Sequence, residues 1–138
     1  MLFNDKLVSV EEAKNYNPQV LAFVGDAVHT LYVRTFVATQ MHAKPNDVHK
    51  VATEYIKASG QSEMVEKMLP MLNDVEHDVF RRARNYKTNN IAKNAKVIDY
   101  KRATGFEAVI GFLYITGQHD RIKQILQTVT TLEVKHED

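Results

Sequence analysis

The sequence predicts an all-α fold, a helical bundle. Apolar residues recur at spacings of three and four along most of the chain. Helix-start residues stand just ahead of these runs. No period-two alternation lasts long enough to make a strand.

The elements follow in order. Ser9-Val10-Glu11-Glu12 reads as a capping box opening a short helix, with Glu12 reaching back to Ser9. Asn17-Pro18 is a second start, with Asn as cap and Pro at the first helical position. The helix it opens runs to about Ala38, and its apolar positions Val20, Phe23, Val24, Ala27, Val28 and Leu31 recur at three and four. Pro45-Asn46-Asp47 opens the next, which carries Val48, Val51, Ala52, Tyr55 and Ile56; Ser59-Gly60 marks its end or a sharp bend. A helix around Glu63 to Leu69 stops near Pro70, and Asn73-Asp74-Val75-Glu76 repeats the capping-box pattern ahead of a helix to about Arg84. Periodicity is lost from Asn85 to about Ala95, where Asn85, Thr88, Asn89, Asn90 and Asn94 favour turns. This predicts a polar, basic loop. Helical pattern resumes near Val97, runs to Thr116 and is stopped by Gly117. A last helix covers about Asp120 to Leu132, followed by a polar tail, 133–138.

The 138 residues are 44% hydrophobic and 25% charged, which fits one globular domain spanning 1–138. No apolar run approaches the roughly 18 residues of a transmembrane helix, so no membrane partner is expected. Met1 to Lys6 lacks the pattern of a signal peptide, and there is no cysteine for disulfides or thiolate metal sites. A cytoplasmic location is the simplest expectation.

The net charge is only +1, but its distribution is uneven. Between Arg81 and Arg102 stand Arg81, Arg82, Arg84, Lys87, Lys93, Lys96, Lys101 and Arg102, with Asp99 the only anion. Such a patch on a near-neutral protein is a footprint for a polyanion; a solvated basic face is the plainer alternative.

Two segments carry candidate chemistry. Phe23-Val24-Gly25-Asp26-Ala27 and Phe106-Glu107-Ala108-Val109-Ile110-Gly111 each set one carboxylate and one glycine among apolar residues. A buried lone carboxylate costs several kcal/mol unless it is compensated. A glycine inside a helix costs roughly 1 kcal/mol against alanine. Both penalties, in two segments, fit helices that approach closely and hold a shared cation. Ion pairs to arginines of other helices would also account for the acids. Two carboxylates on neighbouring helices suit Mg²⁺, which keeps several waters and needs few protein ligands. Mg²⁺ in turn suits in-line attack on a phosphodiester. His77-Asp78 and His119-Asp120 hint at a metal phosphohydrolase, but the further ligands such a site needs are not found in sequence. Asp47 reads as a helix-start residue.

Leu21-Ala22-Phe23-Val24-Gly25-Asp26-Ala27-Val28 resembles the ribonuclease III signature, usually LEFLGDAVL. Thr104-Gly105-Phe106-Glu107-Ala108-Val109-Ile110-Gly111 resembles that family's second motif, usually DTVEALIG. Order and separation also match, over about residues 17–116. Pro45 to Lys50 and Arg82 to Lys87 look like further segments of the family's Mini branch, which has the catalytic domain alone.

The resemblance implies an all-helical endonuclease domain without a double-stranded-RNA-binding domain. It implies a homodimer that cuts double-stranded RNA with Mg²⁺, Mn²⁺ being able to substitute, and leaves 5′-phosphate and 3′-hydroxyl ends. Precursor 23S ribosomal RNA is the implied substrate, and a ribosomal protein a further partner. Asp26 and Glu107 match the catalytic, metal-binding acids. Phe23 matches the phenylalanine that packs across the dimer interface. Arg81, Arg82, Arg84, Lys87, Lys93 and Lys96 would contact RNA phosphates. The family's additional acids fall here at Ala22 and Thr104. Both positions would face the site, Thr104 as a supporting residue, and Gln19 could reach a metal-bound water. The missing acids also motivate the alternative of a non-catalytic RNA-binding or ribosome-assembly module.

Overall fold

A computed structural model describes residues 6–87 and 96–130. Among these, all regular structure is helical: α1 (Val10–Ala13), α2 (Pro18–Gln40), α3 (Val48–Ile56), α4 (Ala58–Met68), a 3-10 turn (Leu69–Met71), α5 (Asp74–Arg84), α6 (Val97–Ile115) and α7 (His119–Val129).

Helix α6 is the axis of the bundle. Ala103, Gly105, Phe106 and every residue from Ala108 to Leu113 are buried, so its central turns are enclosed on all sides. α2, α4, α5 and α7 pack around it. The main core gathers Leu21, Met68, Phe80, Phe106, Phe112 and Leu126. A smaller cluster of Val33, Val37 and Ala52 joins the second half of α2 to α3.

The stripe that gives α2 its clearest periodicity is not the face that α2 buries. Leu21, Ala22, Gly25, His29, Val33 and Val37 face the core. Val20 and Leu31 stay about half exposed, and Phe23 is 80% exposed. α2 also meets the length and apolarity of a membrane-crossing helix, with a mean hydropathy of 1.3 in its best window. The sequence expectation that no segment would do so needs correcting. Its packing against α6, α3 and α5 makes it a core helix of this bundle.

The caps explain most boundaries. Asn73 and Glu76 close a full capping box, with Asn73 N donating to Glu76 Oε1 (3.0 Å) and Glu76 N to Asn73 Oδ1 (2.9 Å). At Ser9 half of the box forms: Glu12 N donates to Ser9 Oγ at 3.2 Å. α6 ends in a Schellman motif, with Gln118 N bonded to Leu113 O, Gly117 N to Tyr114 O, and Gly117 at φ +75°. The break expected at Ser59-Gly60 falls instead at Lys57, whose extended backbone separates α3 from α4. Ser59 and Gly60 lie in the first turn of α4, which begins earlier than the sequence predicts. A Cβ at Gly60 would sit 2.3 Å from the Glu54 carbonyl oxygen, so the glycine marks a close approach of two helix ends.

Candidate active site

The site lies where α2 crosses α6. A Cβ added to Gly25 would stand 1.7 Å from the carbonyl oxygen of Glu107, and one added to Gly111 would stand 1.9 Å from that of Leu21. Neither helix could carry a side chain at these points, so the backbones touch. Asp26 follows Gly25, and this contact brings its carboxylate beside Glu107.

Asp26 is exposed, whereas Glu107 is half-buried. Burial pushes the Glu107 carboxyl up to about 8, the negative charge of Asp26 adds to the rise, and a hydrogen bond from Gln61 opposes it. The site without a cation therefore keeps a proton on Glu107 at neutral pH. A divalent cation would reverse both causes, replacing lost solvation with oxygen–metal bonds and offsetting the Asp26 charge. The donor set fits such an ion: two oxygen ligands on a rigid crossing, open to solvent on the Asp26 side. Among the described residues no group of three or more His, Cys, Asp or Glu side chains gathers to hold a metal. This agrees with Ala22 and Thr104 standing where the family's further acids would be. Neither Asp26 nor Glu107 pairs with an arginine in any ion pair found among the described residues.

Thr104 turns its hydroxyl back to donate to Tyr100 O at 2.9 Å, so that proton serves its own helix. Gln19 is half-buried in the first turn of α2, its N–H bonded to the Asn17 side chain. The polar neighbour of Glu107 is Gln61 of α4, which sequence reasoning did not single out. Gln61 is 1% exposed, and its Nε2 lies 3.3 Å from Nδ1 of the fully buried His29. Burial also lowers His29 to about 4, so the ring is neutral at physiological pH. A glutamine one position past Gly60, in a helix of mixed polarity, carries no signal in sequence that it will be buried.

The basic residues divide into several environments. Arg81 pairs with Asp78 at 2.6 Å and keeps its side chain 60% exposed. Arg82 donates to the Lys14 carbonyl. Arg84 stacks over Phe80, 5.7 Å from the ring centre, with Nε donating to Asn85. Lys87 and Lys96 are exposed, and Lys93 lies outside the described residues. Arg102 does not join this surface; it reaches α4, bonding Ser62 O and pairing with Glu66. The bonds of Arg82 to Lys14 and of Asn17 Nδ2 to Tyr86 Oη (3.0 Å) tie the end of α5 to the start of α2. That start is about 12 Å along the helix from Asp26. The basic end of α5 thus sits within reach of a polyanion lying over the carboxylates.

The exposed stripe of α2 forms one wall of a groove of about 1070 Å³. Phe23, Ala27 and Leu31 line it on one side, and Tyr114, Ile122 and Leu126 on the other.

An all-helical bundle with paired carboxylates at a glycine crossing defines the class. A ribonuclease III domain is matched over residues 19–118, and the chain belongs to the ribonuclease III family, in its Mini-ribonuclease 3 branch. It is 42% identical over 126 residues to a Mini-ribonuclease 3 of Thermoanaerobacter sp. (strain X514), covering 91% of this chain and 89% of that one. It is 44% identical over 111 residues to that of Brevibacillus brevis, covering 80% and 83%. A crystal structure of a Fusobacterium nucleatum protein superimposes with a TM-score of 0.76 at 29% identity, covering 84% of this chain and 93% of that one. The protein is therefore an endoribonuclease. Its family acts on double-stranded RNA and generally depends on divalent metal.

Proposed function

We propose that this endoribonuclease uses Mg²⁺, with Mn²⁺ able to substitute, to cut double-stranded RNA in the cytoplasm. In this reading its natural substrate is precursor 23S ribosomal RNA, and it leaves 5′-phosphate and 3′-hydroxyl ends. The observation that carries the reading is the Asp26–Glu107 pair, two acids brought to one place where α2 and α6 touch.

Asp26 and Glu107 would hold the cation. The ion would supply an activated water and neutralise charge on the attacked phosphate. Arg81, Arg84, Lys87 and Lys96 would draw the duplex over the site through its phosphates, which position RNA without reading its sequence. Phe23 supports a homodimer: a phenylalanine 80% exposed beside an apolar groove is a surface that a second copy would cover.

The test is incubation of duplex precursor ribosomal RNA with Mg²⁺, wild type beside Asp26→Asn and Glu107→Gln. Both variants should keep the fold and bind RNA, yet lose cleavage by at least about a hundredfold. Cleavage at wild-type rates by both would overturn the assignment.

A further inference from the structure

Arg34 stands on the ridge of α2 that carries Asp26. Asp26, Thr30 and Arg34 follow one another at intervals of four, so they share one side of the helix. Arg34 is about 12 Å beyond Asp26 along the axis. It is exposed, and no ion pair or hydrogen bond of its side chain is found among the described residues. Each of the other arginines holds a protein group, from Asp78 on Arg81 to Glu76 on Arg121. An exposed guanidinium that holds nothing keeps all its N–H donors in a planar fork, the geometry that fits a phosphate.

Arg34 shares its surroundings with a second donor. Together with His49 of α3 it borders a cleft of about 300 Å³, whose other walls are Val37, Ala38, Val48 and Ala52. The packing of Val33 and Val37 against Ala52 fixes α3 on α2 at this point, so both polar side chains serve one cleft. No carboxylate lines it. A guanidinium only donates, and an imidazole has a donating N–H in either protonation state. The lining therefore suits the oxygens of an anion and offers nothing to a cation. Asp47 and Lys50, both exposed at the start of α3, carry opposite charges and leave the cleft the positive sign of Arg34. Its apolar walls hold no group that could read a base edge.

Position selects the source of that anion. The basic end of α5 is tied to the start of α2, about 12 Å from Asp26 in the other direction. Along α2 the carboxylates thus stand between two basic points. A free phosphate ion could meet one of them, whereas a nucleic-acid backbone meets both. Contacts on both sides of the reacting phosphate keep it over the acids.

We infer that Arg34 and His49 form a second phosphate-contact site, which takes a backbone phosphate of the duplex RNA on the side of Asp26 away from α5. The inference rests on the reading that the RNA lies over Asp26 and Glu107.

The experiment measures binding of a short duplex RNA by fluorescence anisotropy, in chelator, over a series of KCl concentrations. Arg34→Gln should weaken binding about 5- to 10-fold and lower the slope of log affinity against log salt by just under one per subunit. Arg34→Lys keeps the charge and loses the fork, so it should keep the slope and recover only part of the affinity. His49→Ala should weaken binding less. Its effect should largely vanish in the Arg34→Gln background, because both side chains hold one phosphate. Arg34→Gln should fold and sediment as wild type does, its side chain being exposed. In cleavage its KM for RNA should rise, with kcat at saturating RNA little changed. Wild-type affinity and salt slope in Arg34→Gln would overturn the site, and so would a loss that only accompanies a change in sedimentation. Fully additive losses in the double variant would overturn the shared site. Asp26→Asn separates the two readings, since it should stop cleavage and leave affinity and salt slope as they are. If Asp26→Asn still cuts while Arg34→Gln loses affinity, the catalytic assignment fails and the phosphate contact stands. If Asp26→Asn stops cutting while Arg34→Gln binds as wild type does, only the second contact fails.

Discussion

Gly25 and Gly111 face each other across the α2–α6 crossing so closely that a Cβ on Gly111 would stand 2.9 Å from the Gly25 nitrogen, and one on Gly25 would stand 2.8 Å from the Gly111 nitrogen. Each glycine leaves room for the other helix's backbone. Replacing a helical glycine with alanine ordinarily gains about 1 kcal/mol. Here the sign reverses: backbone cannot move aside as a flexible side chain can. Gly25→Ala and Gly111→Ala should each lose about 3 kcal/mol or more in urea unfolding. Any folded fraction should lose cleavage, because separating the helices separates Asp26 from Glu107. An alanine at either position that raises the unfolding midpoint would contradict the crossing.

The Glu107 carboxyl, pushed to about 8 by burial and by Asp26, makes the metal-free fold sensitive to pH. A carboxyl that holds its proton more tightly when folded stabilises the fold below its unfolded value near 4.5. That contribution is lost as pH rises through 8. Without divalent metal, wild type should therefore weaken between pH 5 and 8, by up to roughly 4 kcal/mol. Glu107→Gln should remove most of this slope, matching wild type near pH 5 and exceeding it at pH 8. Thermal melts of both proteins in chelator, at several pH values, provide the measurement.

Burial is the larger cause of that shift, so removing the neighbouring charge should undo only part of it. In Asp26→Asn the Glu107 carboxyl should titrate below its wild-type value but still above an ordinary glutamate. Carbon-13 NMR of the carboxyl resonance reads this directly. A return to about 4.3 would show that charge repulsion, not desolvation, governs the site.

Phe23 lies on the outside of the single subunit, so its loss should be felt by assembly rather than by folding. Phe23→Asp should shift a dimer to monomer in analytical ultracentrifugation. The monomer's melting temperature should change little, surface substitutions ordinarily staying within about 0.5 kcal/mol. A Phe23→Asp protein that sediments as wild type would place any dimer contact elsewhere.

Glu76 is 1% exposed and takes bonds from Arg121 Nε (2.9 Å), Arg121 Nη2 (2.8 Å) and Asn73 N (3.0 Å). Burial pushes its carboxyl up, but the bonds from Arg121 and Asn73 and the Arg121 charge outweigh burial and leave it lowered. Its stabilising contribution is thus present above its unfolded value and lost as pH falls through the folded one. Arg121→Met would strand a buried carboxylate and should cost about 3–5 kcal/mol at pH 7. The deficit should shrink in acid, as urea titrations at pH 7 and pH 4 would show.

The helices were legible because their signals are local. Asn17-Pro18, Asn73 to Glu76 and Gly117 act within a turn of themselves, and each works where the sequence places it. Asp26 and Glu107 were legible because a carboxylate and a glycine in an apolar run violate local preference, and only a close crossing or a ligand repays that. The sequence by itself thus determined the helical class and most helix ends, and it singled out the two acids as candidates. Only the tertiary structure decided which face of α2 is buried. That helix offers two apolar faces, and α6 takes the one with Gly25 because a glycine permits backbone contact. The same packing turned Arg102 inward to Glu66, away from the basic surface. It also brought His29, Gln61 and Glu107 together from three helices. Local sequence can show that a residue is polar, but its partner is fixed only when distant helices pack.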